Sequence, residues 1–211
     1  MRTVFLVDGF NLYHALQDAS VDLGGAGTKW LDLDSLCRSF LGDIRGGAQL
    51  EGIDYFSALA TFMEYKDSAV PARHRLYLDC LRWRGVMVHL GQFKMKSSIC
   101  LQCGNEAARP EEKETDVALG VRLLELFWTD ACDAAVLVTG DNGLVPAVRM
   151  VRKHFPSKPV FCYFPYKRFG FDLDSVATRS FRMRAKRYRR HQFPPTVQLA
   201  DGSEIQKPAA W

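Results

Sequence analysis

The stretch VFLVDGFNLYHAL, residues 4–16, changes its hydrophobic period halfway along. Val4 to Val7 are four apolar residues in a row, the pattern of a strand covered on both faces. From Asn11 onward the apolar positions recur at helical spacing instead. Asp8, Gly9 and Asn11 occupy the junction. A strand that runs straight into a helix reaches its next parallel neighbour by a right-handed crossover. This one junction therefore directs the chain toward a parallel sheet with helices on both faces.

Four further segments read as strands: IDYFSALATF (53–62), GVMVHLGQF (85–93), AAVLVTG (134–140) and PVFCYF (159–164). Helix-like stretches cover 11–19, 33–41, 72–84, 116–128 and 143–155. Pro146 falls in the first turn of the last, where its missing N–H costs little. The expectation is an α/β domain with a mostly parallel central sheet of about five strands. In open sheets of this kind ligands bind beyond the carboxyl ends of the strands, where strand order reverses. If the first strand neighbours the one ending at TGD (139–141), Asp8 and Asp141 face each other across that crevice, strands being about 4.8 Å apart.

At 211 residues, 47% hydrophobic and 25% charged, the chain has the size and composition of one globular domain with a substantial core. No apolar run approaches the ~18 residues of a membrane span, and the N-terminus has no signal-peptide pattern. A cytoplasmic protein without a membrane partner is expected. Cys37, Cys80, Cys132 and Cys162 lie scattered in apolar surroundings, as buried free thiols do in a reducing compartment. The net charge of +4 is unevenly placed. Residues 149–190 hold thirteen Lys or Arg against Asp172 and Asp174, while the rest of the chain carries a balance of −7. That asymmetry suggests a surface facing a polyanion.

Three acids stand out. Asp8 and Asp141 end strands, and Asp116, in KETDVALG, opens a helix with Thr115 as its expected N-cap. Each alone has an ordinary structural use, as a turn residue, a cap or a first-turn acid. Gathered at one end of a sheet they repel by several kcal/mol, a conflict that a cation resolves. Hard oxygen ligands suit Mg²⁺ or Mn²⁺, and such an ion polarises a phosphoryl oxygen and activates water. A dinucleotide-binding enzyme fits less well, because VDGFN lacks the second and third glycines of that fingerprint.

VDGFNLYHAL, EEKETDVALGVRLLEL and AAVLVTGDNGLVPAV resemble the three signature segments of the NYN domains, in particular the LabA-like branch of the PIN-like nuclease superfamily. The resemblance extends to the Cys-x-x-Cys ahead of EEKETDV and to the closing ADGSEIQKPAAW. It implies a Rossmann-like, three-layer PIN-like domain whose strand-end acids gather Mg²⁺ or Mn²⁺ to cleave RNA. Matched by position, Asp8, Asp116 and Asp141 correspond to the acidic metal ligands and catalytic residues. Asn11 corresponds to the amide of the first motif and Thr139 to the hydroxyl residue before the last acid. Asn142, Lys113 and Arg149 flank the motifs as candidate substrate or supporting contacts, and Glu64 is a candidate extra acid. The sequence departs from the family pattern at Gly143, where a second acid usually follows Asp141. Asp133 lies at the far end of its strand and does not replace it.

Two further segments bear on chemistry. Cys100 and Cys103, in ICLQCG, have the form of half a zinc site, with no second pair to complete it within the chain; a second subunit or a redox role are alternatives. RSFRMRAKRYRR (179–190) has seven basic residues in twelve, interleaved with Phe181 and Tyr188. Arg182, Arg184, Lys186, Arg187, Arg189 and Arg190 are therefore expected to contact nucleic acid, although a merely solvated face is the alternative. The expected organisation is a nuclease domain over 1–180 and a basic extension over 181–211 packed against it. Two functions are carried forward: a metal-dependent endoribonuclease, and an RNA-binding regulatory module with a degenerate site.

Overall fold

The computed structural model describes residues 1–44, 46–64, 67–99 and 106–211. Its strands are β1 (Arg2–Asp8), β2 (Gln49–Ala58), β3 (Met87–Ile99), β4 (Glu106–Lys113), β5 (Ala134–Val138), β6 (Val160–Phe164) and β7 (Arg179–Arg182). They form one sheet in the order β4-β3-β2-β1-β5-β6-β7, parallel except for the antiparallel β3–β4 pair. A separate antiparallel pair, β8 (Thr196–Gln198) and β9 (Glu204–Gln206), lies in the C-terminal segment.

The sheet has seven strands where the sequence patterning indicated about five. Both additions are edges. β4 reads EAARPEEK, polar and carrying Pro110, and β7 reads RSFR with its end residues exposed. Charges and proline are what edge strands tolerate and what apolar patterning overlooks. β2 starts at Gln49 and stops at Ala58, so the LATF that follows leaves the sheet and Thr61–Met63 form a 3₁₀ turn.

The helices are α1 (Gly9–Asp22), α2 (Leu33–Arg38), α3 (Ala69–Trp83), α4 (Thr115–Trp128), α5 (Val145–His154), α6 (Phe171–Val176) and α7 (Ala185–Arg190). Alternation along β1 sends Phe5 and Val7 into a core with α1, α2, α3 and α7, and Val4 and Leu6 into a core with α4, α5 and α6. Three layers result. Phe193, Val197 and Ile205 of the C-terminal segment bury into the first of these cores, and Phe193 and Trp211 meet Trp30 edge-on. Among the described residues no helix is long and apolar enough to cross a membrane.

β1 is the central strand. The chain builds outward from it through β2 to β3 and β4, then returns to β1's other side at β5 and continues to β6 and β7. Strand order thus reverses between β1 and β5, whose register pairs Val7 with Val138. Asp8 and Asp141 follow directly at the carboxyl end of this switch point.

Candidate active site

Gly9 begins α1 immediately after the last residue of β1. A Cβ at Gly9 would stand 2.6 Å from the Phe56 carbonyl oxygen and 2.7 Å from the Tyr55 hydroxyl, so only glycine allows this abrupt entry. Asp8 caps the helix, its Oδ1 accepting from the Asn11 N–H at 2.9 Å. Its Oδ2 accepts from the Thr139 hydroxyl at 2.7 Å. The same hydroxyl oxygen accepts from the Asp141 N–H at 3.1 Å, and Asn11 Oδ1 accepts from the Gly140 N–H at 3.1 Å. Asn11 and Thr139 thereby lace the two strand ends together.

Asp141 Oδ1 accepts from the Gly143 N–H at 2.8 Å and caps a 3₁₀ turn over Asn142–Leu144. Asp116 lies in the first turn of α4 and lines a shallow groove of about 360 Å³ together with Gly143, Leu144 and residues of α5. Thr115 is not the cap of α4. Glu114 takes that position with φ +81°, a left-handed backbone uncommon for a side-chain-bearing residue. The backbone N–H and hydroxyl of Thr115 both donate to Glu112 Oε1. Glu112 is thus an acid beside the site that the motif reading passed over. Its signal was an acid three residues before a threonine at a helix start.

Asp8 is 4% exposed. Burial raises its pKa, and Asp141 adds to the rise, against the opposing hydrogen bonds from Asn11 and Thr139. Asp116 is pushed up to about 6, by desolvation first and then by Asp141, Asp8 and Glu112. The three motif acids therefore share one electrostatic environment. Among the described residues none of the three takes part in a salt bridge, whereas buried Asp32 and Asp54 are paired with Arg84 and with His89 and Arg122. Among the described residues no three His, Cys, Asp or Glu side chains converge closely enough to hold a metal ion by themselves. The donor set is all oxygen and open, which suits a divalent ion that keeps several of its waters, as Mg²⁺ does.

Most of the other expected residues are either engaged in contacts of their own or exposed. Asn142 turns its Oδ1 to the Leu173 N–H at 3.1 Å, tying the turn to α6. Lys113 bonds Glu111 at 2.9 Å, and Arg149 is exposed on α5. Glu64 pairs with Arg75 at 3.1 Å on the exposed surface and is not among the acids that perturb Asp8 or Asp116. Arg187 is half-buried, donating to the Ser39 hydroxyl at 3.1 Å and lying 4.9 Å from the Phe40 ring. Arg184, Lys186, Arg189 and Arg190 are exposed, and Arg182 lies over Phe169 at 4.0 Å. Asp133 is held by Arg2 at the opposite end of β5. Cys100 and Cys103 lie outside the described residues.

The family model of the NYN domain matches residues 2–168, most of the chain and all three acidic motifs. The chain belongs to the NYN domain family. NYN domains are a PIN-like nuclease family, and the mostly parallel three-layer sheet agrees with that membership. One curated relative is 6-hydroxy-3-succinoylpyridine 3-monooxygenase HspA of Pseudomonas putida (strain DSM 28022 / S16), 30% identical over 182 residues. The match covers 73% of this chain and 56% of that protein, so the chain spans little more than half the relative's length. Among solved structures, VPA0982 of Vibrio parahaemolyticus RIMD 2210633, a protein of unknown function, superposes with a TM-score of 0.56 at 18% identity. That match covers 87% of this NYN chain and 93% of VPA0982, and it reflects a shared fold.

Proposed function

We propose that this NYN domain is a divalent-metal-dependent endoribonuclease whose metal ligands come from Asp8, Asp141 and Asp116. The observation that carries this reading is Asp8 itself: a carboxylate at 4% exposure, raised toward protonation by its surroundings and set beside two more acids, with no cationic side chain among the described residues paired to it. A buried, unpaired carboxylate with two further acids beside it is costly, and a bound cation turns that cost into affinity. Mg²⁺ or Mn²⁺ would supply charge neutralisation, polarisation of the scissile phosphate and a water of lowered pKa.

The chain's own residues have separate tasks in this reading. Thr139 and the Asn11 N–H fix both oxygens of Asp8, so its orientation does not depend on substrate. The Asp141 N–H donates to Thr139, which couples the second acid to the first, while the Gly143 N–H holds Asp141 Oδ1. Exposed Arg184, Lys186, Arg189 and Arg190 offer phosphate contacts that do not depend on sequence. The test is cleavage of single-stranded RNA by the purified protein in Mn²⁺, comparing wild type with Asp8→Asn and Asp141→Asn. Loss of cleavage in both variants and in EDTA is expected. Cleavage that survives both substitutions, or persists in EDTA, overturns the proposal.

A second reading, an RNA-binding module with a weakened site, is favoured by one feature. A Cβ at position 143 would lie 3.2 Å from Asp141 Oδ1, so an acid there would stand beside Asp141, and this chain has glycine. Salt-sensitive RNA binding without turnover in any divalent metal would select this reading over the first.

A further inference from the structure

Beside the acid cluster is an aromatic surface that the proposed chemistry does not use. Phe171, the first residue of α6, is 77% exposed. Its ring meets Phe169 edge-on, with centroids 4.7 Å apart and planes at 87°. Phe169 is in turn anchored edge-on to buried Phe164 of β6 at 4.7 Å. The guanidinium of Arg182, on the edge strand β7, lies 4.0 Å from the centroid of the Phe169 ring. One cation and two aromatic rings thus form a contiguous surface of cation–π and edge-to-face contacts.

The place of this surface follows from Gly170. A Cβ there would stand 2.6 Å from both Asn142 Oδ1 and the Gly140 carbonyl oxygen, so the backbone leading into Phe171 rests on both neighbours of Asp141. The segment is also held rigidly. Arg168 pairs with Asp18 at 2.7 Å, Lys167 pairs with Asp22 at 2.6 Å, and the Tyr166 N–H donates to the Tyr188 hydroxyl at 2.9 Å. Asn142 Oδ1 accepts from the Leu173 N–H. A well-anchored loop that still leaves most of a phenylalanine in solvent gains little fold stability from that ring beyond its edge contact with Phe169.

We propose that Phe171, backed by Phe169 and Arg182, is a stacking subsite for one unpaired nucleobase of a single-stranded polynucleotide lying across the acid cluster. The proposal rests on the nuclease reading for the placement of the strand, and it adds a preference that the acids cannot provide. Phosphate contacts do not distinguish single from double strands by shape alone, but a stacking ring needs a base with a free π-face. Bases inside a duplex have none to offer. The Arg182 guanidinium, over the Phe169 ring and in no salt bridge among the described residues, can still donate to the adjoining phosphate.

The test measures binding by fluorescence anisotropy in Ca²⁺ or without metal, so that cleavage does not interfere. Single-stranded RNA, single-stranded DNA and an RNA duplex of the same sequence are compared across a salt series. Base–aromatic stacking is worth about 1–3 kcal/mol per base, so Phe171→Ala should weaken single-strand binding roughly 5- to 150-fold. It should leave duplex binding, the melting temperature and the slope of log K against log salt unchanged, while Phe171→Trp restores affinity. Arg182→Ala should lower the salt slope by about one. A 2-aminopurine base in the single strand should be quenched by wild type and not by Phe171→Ala.

Equal single-strand affinity of wild type and Phe171→Ala overturns the subsite. So does an equal loss on single strand and duplex, or a Phe171→Ala effect confined to self-association in sedimentation. The nuclease reading is scored separately by Mn²⁺ cleavage. A wild type that cleaves but is indifferent to position 171 refutes only the subsite; one that binds single strands through Phe171 without cleaving refutes only the nuclease.

Discussion

Replacing Asp116 with asparagine should stabilise the metal-free protein, and only at the pH values where the aspartate is charged. The carboxyl of Asp116 is pushed up to about 6 by desolvation and by Asp141, Asp8 and Glu112, against about 3.9 in an unfolded chain. The folded state therefore holds this proton more tightly than the unfolded state does. For a raised acid, the stabilising contribution is present below pH ~4 and is lost as pH rises through about 6. At full strength the loss by pH 8 is roughly 3 kcal/mol. Asp116 is exposed to solvent along much of its surface, and screening cuts this to about 1.5 kcal/mol. Against it stands the favourable charge at the N-terminus of α4, about 0.5 kcal/mol. Repulsion wins by ~1 kcal/mol, which for a chain of this size is a gain of about 2–4 °C in Tm.

Circular-dichroism melts in EDTA at pH 4.5, 6 and 8 measure this directly. The difference between Asp116→Asn and wild type should be smallest at pH 4.5, about a third of its full value or less, and reach its full value by pH 8. Saturating Mn²⁺ should invert the order, since ligand at 100 times its Kd stabilises the wild type by about 2.7 kcal/mol. A variant that gains nothing at pH 8, or gains equally at every pH, refutes the shared electrostatic environment of the three acids.

Gly143→Asp places a further carboxylate beside Asp141, where a Cβ would sit 3.2 Å from Oδ1, close enough that the two groups interact directly. Two charges about 5–6 Å apart at an effective dielectric of ~20 repel by about 3 kcal/mol, an upper bound here. The variant should melt several degrees lower in EDTA and bind Mn²⁺ at least tenfold more tightly by isothermal titration; unchanged affinity would show that this position does not face the ion. Thr139→Val keeps shape but removes the donor to Asp8 Oδ2 and the acceptor of the Asp141 N–H. A loss of about 1–3 kcal/mol is expected in denaturant unfolding, with Mn²⁺ binding displaced to higher pH as Asp8 loses a hydrogen bond that favours its charged form. Wild-type stability in that variant would mean that the strand ends are held by other contacts.

Architecture and principal acids were legible in the amino-acid sequence. The four-residue run Val4–Val7 followed by helical spacing demanded a doubly covered parallel strand, and the switch from period to period located Asp8 at its carboxyl end. These are local signals, written in consecutive residues. The edge strands β4 and β7 escaped the same reading because a strand with one free side is not obliged to be apolar. Glu114 rather than Thr115 caps α4, because the backbone turns left-handed to carry the hairpin into the helix and Glu112 takes up the donors of Thr115.

What each polar residue is free to do was settled by the folded arrangement. Asn142 and Arg187 look like substrate contacts in the sequence, and the fold also gives each a structural contact, Asn142 Oδ1 to the Leu173 N–H and one Arg187 N–H to Ser39. Phe171, of a residue type most often buried, is left in solvent at the turn that follows β6. Residue type and spacing fix what chemistry a chain carries. Which donors and acceptors are already satisfied, and which ring faces water, depends on partners that can lie more than a hundred residues away, as Ser39 does from Arg187. Those contacts exist only after the sheet has assembled.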